Sequence, residues 1–242
     1  MNYKTHIYDS YRSAFKGEGT EEQLQFAASK VRPVLVPWVV EMDRSARVLD
    51  LGCGAGELLR VLDDLGFRNL GGCDLSAEQI AIAAKRFPNV QVANLFAFLE
   101  AQPENSVDLI TIFDVVEHLG PQSTFDLMAL IVTRLAPGGR LIVHLPNGLS
   151  PLVGHVFWSD MTHEWCLTPQ SAQTLCTLFG LMDFAAVEHL GTGSDAKGQL
   201  RALAWRGMRT LFRAMNFIET GNFGGTVWTR NFAFKSDKPS GS

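Results

Sequence analysis

The sequence predicts a doubly wound α/β fold, in which a mostly parallel sheet of seven strands carries helices on both faces. Three observations lead to this prediction. Apolar strand-like and amphipathic helix-like segments alternate along the chain, and short glycine-rich turns join them. The segment VDLITIF at 107–113 is almost wholly apolar, as expected for a strand that helices cover on both sides. Such alternation is typical of parallel strands linked by helices.

The elements follow from local patterns. Ser76 with Gln79 has the form of a capping box, and Thr168-Pro169 places an N-cap before a proline at the first helical position. The predicted strands are 47–51, 70–74, 90–93, 107–113, 141–145, 182–187 and 226–234. The predicted helices are 57–65, 76–87, 123–135, 168–180 and 199–217.

The sequence predicts three regions along the chain. Residues 1–46 form an N-terminal helical cap, whose apolar residues recur at helical spacing until Pro33 and Pro37 interrupt it. Residues 47–236 form the main domain, with an irregular insertion at 147–167 on the substrate side. Residues 237–242 form a disordered tail.

Composition excludes several classes of protein. Hydrophobic residues make up 46 % and charged residues 19 % of the 242 residues, which suits a folded core. The net charge of −4 gives no field that would gather nucleic acid. No apolar run reaches membrane-spanning length, and the first ten residues lack the apolar core of a secretory signal. The four cysteines form no CxxC pair, so we expect free thiols and a cytoplasmic location.

The strongest motif is VLDLGCGAG at 48–56. An acid, Asp50, lies near the end of a buried strand. Glycines then occupy every second position, Gly52, Gly54 and Gly56, with Cys53 and Ala55 between them, before a helix begins. Glycines let the backbone turn sharply and approach a ligand closely. A dinucleotide loop would read GxGxxG, but here the third glycine comes one position early. The acid two residues before the first glycine suits a cationic or hydroxyl-rich ligand better than a diphosphate.

This motif resembles motif I of S-adenosylmethionine-dependent methyltransferases, in which the acid lies near the methionine ammonium group. The resemblance covers roughly residues 45–190 and implies the Rossmann-like fold of class I methyltransferases, with S-adenosylmethionine as the cofactor. Asp74 and Leu75, at the end of the second strand, are then expected at the ribose, where a carboxylate can accept both hydroxyls. Asn94 and Leu95 are expected beside the adenine. Phe113 is expected at the floor of the pocket.

The chain also resembles, more narrowly, bacterial methyltransferases of polysaccharide and O-antigen gene clusters. The matching segments are GAGELL at 54–59, DVVEHL at 114–119, LPN at 145–147 and FWSDMTHE at 157–164, followed by Thr-Pro. This resemblance implies an acceptor that is a sugar, a nucleotide sugar or a lipid-linked glycan.

Candidate catalytic residues follow the fourth strand. If the chain turns helically there, Asp114, Glu117 and His118 share one face, and His163 of the insertion can close the set. The run resembles the divalent-metal site of methyltransferases that modify the terminal ribose of small RNAs and of ubiquinone-pathway O-methyltransferases. Those families have Glu where this chain has Asp114. Two carboxylates and two imidazoles would suit Mn²⁺, Fe²⁺ or Zn²⁺ better than Mg²⁺.

Two other interpretations of this cluster stay open. His118 or His163 could act as a metal-free general base, with Asp160 binding a hydroxyl or orienting His163, or the cluster could be mainly structural. His144 is interpreted as a core or supporting residue, and His6, His155 and His189 fit no pattern. The aromatic residues of the insertion could stack on a sugar ring or simply anchor the loop; they are Phe157, Trp158 and Trp165.

The helix at 199–217 has an apolar stripe opposite Arg206, Arg209 and Arg213. These arginines could form a solvated face, or they could meet an anionic acceptor or a membrane surface.

The sequence thus predicts an O-methyltransferase that acts on a sugar hydroxyl in surface-polysaccharide or glycan biosynthesis. Two alternatives are an O- or C-methyltransferase of an aromatic or quinone-like molecule, and a methyltransferase-like subunit that only binds a partner.

Overall fold

A computed structural model describes residues 19–190 and 195–241, together with Tyr3 and Ile7. His6 and most of the first eighteen residues of the predicted N-terminal cap lie outside the described residues. Within the described ranges, no helix is both long enough and apolar enough to cross a membrane.

The predicted seven-stranded, mostly parallel sheet is confirmed. Its spatial order is β3-β2-β1-β4-β5-β7-β6. Strands β1 to β5 run parallel to one another, whereas β7 pairs antiparallel with both β5 and β6. The strands are β1 (Arg47–Leu51), β2 (Asn69–Asp74), β3 (Val90–Val92), β4 (Val107–Phe113), β5 (Leu135–Pro146), β6 (Met182–Glu188) and β7 (Asn231–Asp237).

Helices connect these strands and cover the sheet. They are α1 (Glu21–Val39), α2 (Glu57–Asp64), α3 (Ala77–Ala83), α4 (Leu95–Glu100), α5 (Pro121–Arg134), α6 (Gly154–Phe157), α7 (Pro169–Leu178) and α8 (Ala196–Thr220). Helix α4 was not predicted from the sequence. Helix α1 continues through Pro33 and Pro37, so the expectation that these prolines interrupt it is wrong. The apolar stripe of α1, which includes Leu35, is buried and holds the helical conformation across both prolines.

Two apolar cores lie on opposite faces of the sheet. Leu109 of β4 and Ile142 of β5 belong to the core that includes Leu35 of α1 and Leu59 of α2. The neighbouring Ile110 belongs to the other core, which α4, α5 and α7 cover. Because side chains of a strand alternate between faces, an apolar strand such as β4 contributes to both cores.

Two strands differ from their predicted bounds by more than one residue. Strand β5 begins at Leu135 rather than 141, because Leu135 pairs with Val107 ahead of the Pro137-Gly138-Gly139 segment and the register then shifts. Strand β7 begins at Asn231 rather than 226 and extends to Asp237.

The C-terminal segment is tied to the sheet. Arg140 donates from Nε and Nη2 to the two carboxylate oxygens of Asp237, each at 2.7 Å. The ammonium of Lys238 donates to the side chain of Asn105 and to the carbonyls of Val132 and Leu135 at 2.7–2.8 Å. The prediction of a disordered tail is therefore wrong for residues 237 and 238, since a bidentate ion pair and a filled set of ammonium bonds hold them.

Candidate active site

A cavity of about 780 Å³ opens at the carboxyl ends of β1, β2 and β4, the edge where open α/β sheets bind ligands. Every residue predicted to bind the cofactor lines it, except Gly56. Those lining residues are Asp50, Gly52, Cys53, Gly54, Asp74, Leu75, Asn94, Leu95 and Phe113. All residues predicted for catalysis or metal binding also line the cavity: Asp114, Glu117, His118, Asp160 and His163.

The loop after β1 requires glycine at position 52. Gly52 has φ +78°, a left-handed conformation, and the N–H groups of Gly52 and Cys53 donate to the carbonyl of Cys73 at 2.8 and 2.9 Å. A Cβ atom at Gly52 would lie 2.3 Å from Cγ2 of Val115. The loop therefore lies directly against the segment after β4, and a side chain at position 52 would separate them.

Gly56 lies outside the cavity lining and packs against Phe87. It precedes α2 with φ +85°, and a Cβ there would lie 2.9 Å from Cε2 of Phe87. The glycine lets the start of α2 lie against Phe87, which explains why it is absent from the cavity wall.

Asp50 is a buried acid whose charge is disfavoured by its burial. Its side chain accepts a hydrogen bond from Oγ1 of Thr111 at 2.7 Å, and the residue is 2 % exposed. Burial raises the pKa of Asp50 to about 7, and Glu57 and Asp74 add to the rise, while the bond from Thr111 opposes it. A cationic group bound beside Asp50 would restore the carboxylate form.

Backbone donors fix the carboxylate of Asp74. Its Oδ2 accepts from the N–H of Gly54 at 2.9 Å and its Oδ1 accepts from the N–H of Ser76 at 2.8 Å. Each carboxylate oxygen offers two lone pairs, so hydroxyl groups of a ligand can still donate to it. Together, the Asp50 and Asp74 carboxylates are acceptors that fit a ligand with an ammonium group at one end and a diol in its middle.

Asp114 does not join the predicted cluster of metal ligands. Its backbone is left-handed, with φ +54°, so the chain does not turn helically straight after β4. The short 3₁₀ helix Val116–His118 begins later. The Asp114 side chain contacts Nδ1 of His144 at 2.7 Å instead. The expectation that residues 114, 117 and 118 share one face is therefore wrong for position 114.

The remaining three residues come together. Glu117, His118 and His163 each offer a ligand atom, and these atoms lie within 4.8 Å of one another. The rings of His118 and His163 meet edge to face, with centroids 4.6 Å apart. The insertion thus brings His163 next to the segment after β4.

Hydrogen bonds fix how both imidazoles are oriented. The Thr162 hydroxyl donates to Oδ1 of Asp160 at 2.6 Å and contacts Nδ1 of His118 at 2.7 Å. Because its single proton goes to Asp160, the hydroxyl accepts from an Nδ1–H of His118. Nδ1 of His163 donates to the carbonyl of Phe157 at 2.9 Å. In each neutral ring the proton is on Nδ1 and the lone pair is on Nε2.

Asp160 therefore orients His118 through Thr162, rather than orienting His163 directly. Thr162 is fully buried, and its hydroxyl is the link that sequence reasoning missed. A Thr two residues after Asp could have indicated it, because such a pair commonly hydrogen-bonds locally.

Glu117 is a buried acid with one unpartnered oxygen. The residue is 1 % exposed, and burial, with a contribution from nearby Asp114, raises its pKa well above the usual range. Within the described part of the chain, Oε2 of Glu117 has no hydrogen-bond partner. A buried carboxylate oxygen requires a proton or a cation.

The structure adds cavity residues that the sequence did not indicate. His189, which fitted no pattern, follows the last residue of β6 and lies against His144, with Nδ1 of His189 2.7 Å from Nε2 of His144. Lys30 of α1 also lines the cavity, although the N-terminal segment was predicted only as a cap. The position of His189 at the carboxyl end of a strand was the one signal available.

The aromatic residues of the insertion divide into two roles. Phe157 is buried, and Trp165 is partly buried, so these two anchor the loop. Trp158 is 80 % exposed and lies edge to face on Phe157. Its chain neighbours Ser159 and Asp160 line the cavity.

Comparison with known proteins agrees with this geometry. Residues 21–189 match the model of a methyltransferase-domain family. The chain is 34 % identical over 142 residues to trans-aconitate 2-methyltransferase of Azoarcus sp., covering 57 % of this chain and 54 % of that one. It is 32 % identical over 103 residues to a probable S-adenosylmethionine-dependent methyltransferase of Mycolicibacterium smegmatis, covering 43 % and 39 %. The chain thus spans about half, or less, of the length of these curated relatives.

Among solved structures, a SAM-dependent methyltransferase of Archaeoglobus fulgidus has a TM-score of 0.69 at 21 % identity, covering 94 % of this chain and 98 % of that one. A phosphoethanolamine N-methyltransferase of Haemonchus contortus, solved with S-adenosyl-L-methionine, has a TM-score of 0.58 at 15 % identity, covering 96 % and 60 %. These similarities show the fold.

The sheet order, the glycine loop and the two acids at the strand ends define a class I S-adenosylmethionine-dependent methyltransferase. The chain belongs to the methyltransferase-domain family that its residues 21–189 match. The predicted class I methyltransferase domain is therefore confirmed, and S-adenosylmethionine is the cofactor that this family supports.

Proposed function

We propose that the chain transfers the methyl group of S-adenosylmethionine to a hydroxyl oxygen of a neutral, sugar-like acceptor. The observation that carries the proposal is the series of hydrogen bonds from Asp160 through Thr162 to His118, a residue that lines the cavity. These bonds make Nε2 the unprotonated nitrogen of the neutral His118 ring. The cofactor supplies an electrophilic methyl group on a sulfonium. All other requirements, namely acceptor binding, alignment and removal of the hydroxyl proton, fall to this chain.

His118 suits the role of general base. Its neutral form carries a proton on Nδ1, so Nε2 can accept the hydroxyl proton as the new O–C bond forms and the C–S bond breaks. The carboxylate of Asp160 lies two hydrogen bonds away, through the Thr162 hydroxyl. Its negative charge stabilises the imidazolium that results.

The charge of the cavity favours a neutral acceptor over a polycarboxylate. Lys30 is the one lysine or arginine among the described residues that line the cavity. Six lining residues carry carboxyl groups: Asp50, Glu57, Asp74, Asp114, Glu117 and Asp160. A tricarboxylic substrate, of the kind named for the trans-aconitate methyltransferases, would meet the negative charge of Asp160 on the acceptor side of the cavity.

The exposed indole of Trp158 supports a carbohydrate acceptor. An aromatic face next to the cavity can pack on the apolar face of a sugar ring, whereas the buried Phe157 beneath it fixes the indole's position. The narrower resemblance to methyltransferases of polysaccharide clusters points to the same acceptor class, as a free sugar, a nucleotide sugar or a lipid-linked glycan.

A panel assay tests the acceptor. The purified chain and S-adenosylmethionine would be incubated separately with nucleotide sugars, glycan fragments, phenols and trans-aconitate, and products would be identified by mass spectrometry. We expect a sugar methyl ether as the product. We also expect Trp158→Ala to raise KM for the sugar with little change in affinity for S-adenosylmethionine. A methylated phenol or a methyl ester as the sole product would overturn the proposal.

A second candidate mechanism uses a divalent cation, because Oε2 of Glu117 has no hydrogen-bond partner among the residues that the structure describes. Glu117, His118 and His163 would hold the ion, and the ion would polarise the acceptor hydroxyl. The fit is partial. Both imidazoles have Nδ1 anchored, as metal-binding histidines do, but Asp114 lies outside the cluster. Unchanged activity after EDTA treatment would exclude this mechanism, whereas loss of activity and recovery with Mn²⁺, Fe²⁺ or Zn²⁺ would favour it over His118 as the base.

A further inference from the structure

Helix α8 presents a long apolar stripe to solvent. It has 25 residues, of which one, Gly198, is buried. Leu203 is 61 % exposed and Ile218 is 83 % exposed. Four more large apolar residues of the stripe are also more than two-fifths exposed: Leu200, Met208, Leu211 and Met215. This face is far more apolar than the solvated surface of an ordinary helix.

The opposite side of α8 attaches the helix to the protein. Nε1 of Trp205 donates to Oε2 of Glu188 at 3.0 Å, and Phe212 packs on Trp228 with ring centroids 5.8 Å apart. At 100° per residue, the exposed stripe spans roughly 140° of the helix and lies on the side away from Trp205. The stripe is therefore not needed to hold α8 on the domain.

The same helix concentrates positive charge. It carries one lysine and four arginines, Lys197, Arg201, Arg206, Arg209 and Arg213, against a single acid, Glu219. The exposed side chains of Lys197 and Arg201 lie at one border of the apolar stripe, and the exposed side chain of Arg206 lies about 60° beyond the other border. The whole chain has a net charge of −4, so this basic surface is local to α8.

We propose that α8 lies on an anionic membrane surface, with its apolar stripe inserted at the level of the headgroups and its cations against the lipid phosphates. An apolar stripe flanked by basic residues is the pattern of helices that lie in the membrane interface. A second copy of the chain fits this face less well, because pairing would bring two sets of cations together.

Attachment through α8 places the cofactor cavity near the lipid surface. Glu188, which binds Trp205 and also pairs with Arg209 at 3.3 Å, is the last residue of β6. The next residue, His189, lines the cavity. On the proposed function, this arrangement suits a glycan acceptor that is carried on a lipid. Membrane binding itself does not depend on which acceptor the enzyme uses.

Vesicle sedimentation tests the proposal without any acceptor. The full chain would be mixed with vesicles of phosphatidylcholine alone and of phosphatidylcholine with phosphatidylglycerol. We expect binding to the anionic vesicles only. Arg201→Gln and Arg206→Gln should each weaken it about fivefold. Leu203→Glu/Leu211→Glu should abolish it. Val92→Glu, an exposed apolar position on the opposite edge strand, is the matched control and should bind like the unchanged chain.

Circular dichroism and affinity for S-adenosylmethionine would establish that each variant is folded. Equal binding to both kinds of vesicle, no binding at all, or binding that survives Leu203→Glu/Leu211→Glu would overturn the proposal. Sedimentation velocity adds a further outcome. Suppose that the unchanged chain is a dimer and does not bind vesicles, and that Leu203→Glu/Leu211→Glu is a monomer. The stripe would then serve self-association instead of membrane binding.

Discussion

Nε2 of His144 lies 2.7 Å from Nδ1 of His189, and the protein's hydrogen bonds determine which of the two rings donates. Nε2 of His189 faces the carbonyl of Lys30 at 3.1 Å. A carbonyl only accepts, so His189 has its proton on Nε2 and accepts at Nδ1 from His144. At its other nitrogen, His144 meets the Asp114 carboxyl group. His144 therefore bridges Asp114 and His189 through its two ring nitrogens.

The first prediction concerns stability. We expect His189→Ala to lower the free energy of unfolding by about 1–3 kcal/mol, because it leaves the buried Nε2–H of His144 without an acceptor. Urea denaturation followed by circular dichroism measures the change. His155→Ala removes an exposed histidine and is the matched control, with an expected change below about 0.5 kcal/mol. Equal effects of the two substitutions would contradict the hydrogen-bond assignment.

The second prediction is the pH dependence that His189 contributes. Burial, with a contribution from His144, lowers its pKa from 6.5 to about 4. Between these values the unfolded chain binds a proton that the folded chain does not, so stability falls as the pH drops from about 6.5 to 4. We expect His189→Gln, which cannot titrate, to lose part of this acid sensitivity, about 1–3 kcal/mol. Parallel slopes of unfolding free energy against pH for both proteins would contradict it.

The third prediction separates two costs of replacing Gly52. A Cβ at Gly180, with φ +72°, would meet nothing within 4 Å, so Gly180→Ala measures only the left-handed backbone cost of about 1 kcal/mol. Gly52→Ala should be more destabilising, since its Cβ would overlap Val115, and it should abolish cofactor binding. We expect Val115→Ala to restore part of the stability in the double variant. Thermal melts and calorimetric titration with S-adenosylmethionine measure both effects, and strictly additive changes would rule out the contact.

The cofactor half of the site was predictable because it follows from short-range sequence patterns. The acid and glycines of 50–54 lie within one turn, and Asp74 ends the adjacent strand, so parallel pairing alone brings them together. The packing of Gly56 against Phe87 could not be predicted in the same way, because Phe87 is 31 residues away along the chain and no local pattern encodes that contact.

The acceptor half depends on long-range pairing. His144 and His189 meet because β5 and β6 both pair with β7, where Ala233 lies opposite His144 and Val187. Periodicity gives no information about that register. Asp114 was placed wrongly for a local reason, since its left-handed backbone is a rare conformation for a residue other than glycine.

The fourth prediction addresses Thr162. We propose that the hydrogen bonds from Asp160 through Thr162 to His118 help His118 to activate the acceptor. Thr162→Val should then lower kcat about tenfold to a hundredfold, because the methyl group of Val forms no hydrogen bond with His118 or Asp160. KM for S-adenosylmethionine should stay constant. Thr162→Ser keeps the hydroxyl and should keep most of the activity. A loss of activity equal in both variants would indicate a packing role for Thr162 instead.

The fifth prediction uses the buried acid of the cofactor loop. Without bound cofactor, the pKa of Asp50 in the folded chain is about 7. Between about pH 4 and 7 the folded chain therefore holds a proton that the unfolded chain has lost. The free energy of unfolding thus falls as the pH rises through that range. Asp50→Asn keeps an acceptor for Thr111 and removes the charge. The variant should therefore be more stable than the unchanged chain at pH 8, by up to about 4 kcal/mol, with little difference near pH 4.

Cofactor binding should reverse this preference, because the methionine ammonium group favours the Asp50 carboxylate. At pH 6 the protein without cofactor holds the Asp50 proton and the complex does not, so binding should release close to one proton. The affinity for S-adenosylmethionine should therefore rise with pH up to about 7. Calorimetric titration at pH 6 in buffers of different ionisation enthalpy counts the protons. Asp50→Asn should bind more weakly and release none from this site. Proton release that is the same in both proteins would show that Asp50 does not contact the charged end of the cofactor.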